Sequence, residues 1–156
     1  MFRILLLVAA VLSLTSCNSI YYNFHQEPFP AYGTAVDVSQ TAVLSVMVTG
    51  AIPENGITRV DGVRTPIAKA GSPMWVRVAP GDHDFVVQHT EYIGTWSRWV
   101  DLELTVENML PKHVYLVSIQ NQGDRVTYET TDLGESPDYG IMLGKGKNRL
   151  YYKVAF

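Results

Sequence analysis

From residue 41 onward, apolar residues fall on every second position, and a period of two describes a half-buried strand rather than a helix. Ala42, Leu44, Val46 and Val48 alternate with Val43, Ser45, Met47 and Thr49. Met74, Val76 and Val78 alternate with Trp75, Arg77 and Ala79, and Val100, Leu102, Leu104 and Val106 with Trp99, Asp101, Glu103 and Thr105. The runs are short, and turn chemistry closes each one. In Asp61-Gly62 the glycine accepts positive φ and the aspartate bonds the nearby backbone, while Pro80-Gly81 suits the two central positions of a type II turn. Pro53 to Gly56 and Asn121 to Asp124 are further turns, residues 64–73 and 132–147 read as loops, and residues 94–97 break a strand. Residues 104–110 admit either a bend or a helical turn. The pattern predicts an all-β chain, a single β-sandwich or small barrel of about seven or eight mostly antiparallel strands, occupying residues 41–156.

The first seventeen residues obey a different logic. Arg3 precedes an apolar run from Ile4 to Leu14, then Thr15-Ser16 and Cys17, the one cysteine of the chain. A charged start, a hydrophobic stretch of about 7–15 residues and small residues before a cut make a secretory signal, and the run is well short of the roughly 20 residues of a bilayer span. Leu14-Thr15-Ser16-Cys17 resembles the lipobox of bacterial lipoproteins, in which the thiol is alkylated with diacylglycerol before cleavage. Small residues let the peptidase hold an extended backbone closely, and a thiolate is nucleophilic enough to take the lipid. The bland alternatives are an ordinary secretory signal with a chance cysteine, or a short buried strand. The resemblance implies a signal peptide over residues 1–16, a lipid on Cys17, and an extended tether over residues 17–40. It further implies, through Asn18 in place of aspartate, an outer-membrane address facing the periplasm.

The tether carries Tyr21, Tyr22, Phe24, Phe29 and Tyr32 beside Pro28 and Pro30. Prolines so close disfavour both helix and central strand, so this segment is expected to be an extended tether that docks its aromatics onto the body, the alternatives being a partner-binding peptide or an interfacial aromatic belt. Beyond the signal remain 140 residues carrying eleven Lys and Arg against fifteen Asp and Glu. Such a chain buries roughly 70% of its unfolded surface without disulfides. Its acidic balance excludes the clustered basic face of a nucleic-acid binder, and it has no polybasic patch to aid a membrane anchor. The expected partners are therefore the membrane, through the lipid on Cys17, and an envelope protein.

Chemistry is thinly spread. Val60-Asp61-Gly62, Val76 to Ala79 and Pro80-Gly81-Asp82-His83 together resemble the PEGA-like domains of bacterial envelope proteins, where a strand ending at Asp-Gly is followed by a Pro-Gly-x-His hairpin. That resemblance implies a binding or scaffolding β-domain and brings no catalytic residue. His83 and His89 share strand parity but lie about 20 Å apart at 3.3 Å per residue, too far for one ion. Asp101 and Glu103 on one strand face are the weakest candidates, for hydrolysis. Gly-Lys-Gly-Lys within residues 140–147 lacks phosphate-loop spacing and reads as a hairpin tip. Neither a catalytic residue, a metal site nor a cofactor is expected. Trp75, Trp96 and Trp99 remain as a candidate binding surface, for a protein partner or alternatively for a glycan or small ligand. The competing reading is that they cover the second face of the sheet or pack against the tether.

Overall fold

A computed structural model describes residues 25–31, 37–46, 55–66, 71–122, 125–143, 147 and 149–156. The signal segment, Cys17, the start of the tether, Val48 and the Gly-Lys-Gly tip at residues 144–146 lie outside these. The described chain is all-β, and none of its sheets closes into a barrel. Among the described residues no helix is long and apolar enough to cross a membrane.

The strands are β1 (Phe29–Pro30), β2 (Ala42–Val46), β3 (Asn55–Val60), β4 (Val63–Arg64), β5 (Trp75–Val78), β6 (Gly81–Ile93), β7 (Trp96–Met109), β8 (His113–Gln122), β9 (Arg125–Glu135), β10 (Gly140–Leu143) and β11 (Leu150–Lys153). Sheet A has the order β1-β5-β2-β8-β9, sheet B the order β4-β3-β6-β7, and β10 and β11 form a separate ribbon. Neighbours are antiparallel except for β1 with β5 and β2 with β8, which run parallel. The count exceeds the expected seven or eight because β1 and β4 are two-residue pairings and because β10 and β11 form a hairpin of their own.

Side-chain parity shows how the layers stack. Along β6, His83, Phe85, Val87, His89 and Glu91 are buried, and their partners Leu104, Leu102 and Val100 on β7 share that inner face. Leu44, Val76 and Val117 of sheet A belong to one apolar core with Phe85, Val87 and Leu104. The opposite face of sheet A is covered too. Ser45 Oγ lies 2.8 Å from the Tyr139 hydroxyl, just before β10. Arg77 donates to Thr41 Oγ1 at 2.8 Å and to the Ala155 carbonyl at 2.9 Å, with its guanidinium over the Phe156 ring. With both faces packed, every residue of β2 is buried, as in strands that are sandwiched between layers.

Two local expectations resolve clearly. Asp61 and Gly62 both take positive φ, 49° and 76°, and join β3 to β4 in the two-residue turn their sequence calls for. Residues 104–110 are strand through Met109, with Asn108 at φ 55° and its N–H donating to Asp82 at 2.7 Å. The body also begins before residue 41. Phe29 and Pro30 pair with Val76 and Arg77, and His25 is fully buried. Pro30 is tolerated there because β1 is the edge of its sheet.

Burial raises the pKa of the Tyr139 phenol above its ordinary 10.0, outweighing the hydrogen bond to Ser45 and adding to repulsion from Tyr151. The neutral phenol is therefore favoured by folding. The unfolded state loses this proton first, so that stability is intact below about pH 10 and falls as the pH rises past it. Urea midpoints measured across pH 8–11 should decline at the alkaline end, and Tyr139→Phe should flatten that decline.

Candidate functional site

Among the described residues the hairpin of β6 and β7 is the longest feature, paired from Gly81 with Met109 up to Ile93 with Trp96 around a Gly94-Thr95 turn. Its inner side is packed as far as Glu91, which is 2% exposed and receives a hydrogen bond from Arg98 Nε. Beyond that pair the cover ends. Tyr92, Ile93 and Trp96 are exposed at the tip, Trp96 to 79%.

Trp99 occupies the other face. It pairs with Thr90, and its exposure of 75% is that of a ring lying on the sheet surface. Thr90, Gln88, Gly56, Ser72 and Asn55 line a shallow groove beside it. Farther along the same face stand Asp101 and Glu103, with Gln88 Nε2 donating to Asp101 at 3.3 Å. Both residues are exposed on the strand surface, and Glu103 lines an open groove with Asp84, Val86 and Thr105.

Trp75 does not belong to this surface, contrary to the sequence reading. It is fully buried, and its indole Nε1 donates to the His25 carbonyl at 3.1 Å. Strand parity correctly placed it on the face opposite Val76, but that face is roofed by the segment around His25 instead of by water. The competing reading, packing against the tether, describes Trp75.

The histidines serve as structural polar pairs at the two ends of the sandwich. His83 Nδ1 lies 2.9 Å from Asp61 Oδ2 and Nε2 lies 2.8 Å from the Ala79 carbonyl, while Asp61 Oδ1 accepts the Asp84 N–H at 2.9 Å. The Asp-Gly turn and the Pro-Gly-x-His hairpin, far apart in sequence, thus meet through one carboxylate. At the opposite end, His89 is held between Asn55 at 2.5 Å and Asn121 at 3.1 Å, which ties β6 to β3 and to β8. Among the described residues, no three His, Cys, Asp or Glu side chains come together as a metal-ligand set.

Tyr92, Ile93, Gln88 and Thr90 were not singled out from the sequence. The signal that finds them is the Gly94-Thr95 turn. Once Ile93 is opposed to Trp96, the pairing places Tyr92 at the tip and Thr90 across from Trp99. The fold and this hairpin define an all-β sandwich with a solvent-facing aromatic arm. The chain matches no family model, and no curated protein or solved structure is significantly similar to it.

Proposed function

We propose that this chain is a lipid-anchored, non-enzymatic binding module of the bacterial envelope. It is held by Cys17, on the periplasmic face of the outer membrane, and recognises another envelope protein through the outer face of sheet B. The single observation that carries the reading is Trp99, an indole displayed on a firmly paired hairpin whose reverse side is packed into the core. Tryptophan is the residue most enriched where protein interfaces concentrate their binding energy. The contact of Asp61 with His83 joins the two turns on which the resemblance to PEGA-like envelope domains rests. One feature favours glycan binding as a second reading. The groove beside Trp99 is lined by neutral hydroxyl and amide groups from Ser72, Gln88 and Thr90, which suit a sugar stacked on the ring.

Two substitutions test the proposal. Cys17→Ser should move the chain from the membrane fraction to the soluble fraction, and unchanged membrane association would remove the anchor. Trp99→Ala should leave folding intact and reduce crosslinking to a co-purifying envelope protein about tenfold, as loss of an interface hot spot does. Loss of sedimentation with peptidoglycan, with protein crosslinks unchanged, would favour the glycan reading.

A further inference from the structure

We infer that the tip of the β6–β7 hairpin, formed by Tyr92, Ile93 and Trp96, is a second membrane contact that enters the bilayer interface beside the lipid on Cys17. The inference rests on the lipid-anchor reading above, and three independent features of the molecule point to a lipid surface as the occupant.

The first is position. β5 ends at Val78 and leads through Pro80 into the start of β6, and β7 ends at Met109 beside the start of β8. The tip between Ile93 and Trp96 therefore lies at the opposite end of the sandwich from those connections. β1 runs parallel to β5, and the His25 carbonyl bonds Trp75 at the first residue of β5. His25 is thus at the same end as the tip, and the chain leading back to Cys17 leaves from there. Seven residues lie between Cys17 and His25, which makes eight Cα-to-Cα steps. Extended, they reach at most about 28 Å, more than the roughly 19 Å across five strands at 4.8 Å spacing. A lipid on Cys17 therefore leaves a link long enough to bring this end of the body, with its aromatic tip, against the bilayer.

The second is the distribution of apolar groups. Ile93 and Trp96 continue the inner face of the hairpin, and Tyr92 stands on the outer face opposite Ser97. A docking face for a folded partner is one-sided. A tip apolar on both sides of its ribbon matches a medium that surrounds it, and Trp and Tyr are the residues enriched at membrane–water interfaces.

The third is charge. The only ionic side chains in the span from Glu91 to Trp99 are Glu91 and Arg98, and they pair with each other. No net charge in the tip opposes its approach to a zwitterionic surface. Trp99, farther back and opposite Thr90, stays outside this contact and remains available to the partner.

The test uses the mature acylated protein reconstituted into phosphatidylcholine vesicles, either plain or with bromine on the acyl chains. Bromine quenches only indoles that reach the lipid. Quenching is expected in the parent, to fall at least about twofold in Trp96→Phe and in Ile93→Ser, and to persist in Trp99→Phe. Buried Trp75 emission serves as the fold control. If the N-terminal peptide mass shows acylated Cys17 but bromine leaves emission unchanged, or if Trp96→Phe quenches like the parent, the tip contact is overturned while the anchor stands. Tip residues that crosslink to a protein and show no quenching overturn it equally. If Cys17 carries no lipid, the anchor reading falls and this inference falls with it.

Discussion

Trp75→Ala lowers stability by about 4 kcal/mol, the scale of truncating a fully buried large aromatic. Trp75 is 0% exposed and lies between sheet A and the segment that carries His25. Its removal leaves a cavity that neither layer can close without leaving the sheet, and it takes away the donor that holds the His25 carbonyl. For a domain near 150 residues this corresponds to a melting temperature lowered by about 10 °C or more, measured by circular dichroism. Trp75→Phe, which retains most of the apolar volume and loses only the Nε1 bond, should cost about a third of that. Trp96→Ala and Trp99→Ala, with rings mostly in water, should each stay within about 0.5 kcal/mol of the parent. Three chemically identical substitutions thus divide into one strongly destabilising and two near-neutral outcomes, and a Trp75→Ala variant that melts like the parent would refute the layer assignment.

Gly140→Ala should be nearly as damaging, for the opposite reason. A Cβ at residue 140 would lie 2.2 Å from the Tyr152 carbonyl and 2.9 Å from Lys153 Cα, both backbone atoms of the facing strand β11. A rotamer change does not relieve a clash with backbone, so the β10–β11 pairing has to open. That pairing positions Ile141 and Leu143 in the core and, just ahead of it, Tyr139 against Ser45. The expected cost is about 3 kcal/mol, the upper part of the range for overpacking. Hydrogen exchange should localise it, with faster exchange at Ile141 and Leu143 while β6 and β7 remain protected. Uniform acceleration across both sheets, or none at all, would contradict the account.

The fold class was legible because alternation and turn residues agree at every level. Leu44, Val76 and Leu104 each fall on the predicted strand phase and each is buried. Asp61-Gly62 turns where its chemistry says it must. What escaped the sequence was the cover on the second face of sheet A. Parity assigns Trp75 to one side of a strand but carries no information about whether a third layer lies there. That layer comes from two places that resist reading. The segment leading into the proline-flanked β1 supplies His25, and a stretch rich in glycine and charge supplies Tyr139 and all of β10. In β10 the glycine at residue 140, which alone suggests a loop, is what allows two backbones to approach. The candidate surface was partly legible. Trp99 is displayed as the acidic residues on its strand face suggest, while the exposure of Trp96, Tyr92 and Ile93 depends on hairpin register, which composition does not reveal.

The parallel pairing of β2 with β8 sets the order in which this molecule can form. Val43 has as its partner Val114, some seventy residues later. The two long hairpins zip locally within microseconds, but the central seam must wait for a costly long-range closure, which places overall folding in the slower, millisecond-to-second regime of β-rich topologies. Until β8 has emerged, β2 has nothing to pair with on that side and the body has no finished interior. A chain so arranged cannot close its centre until residues 114–117 have come back to its amino-terminal half.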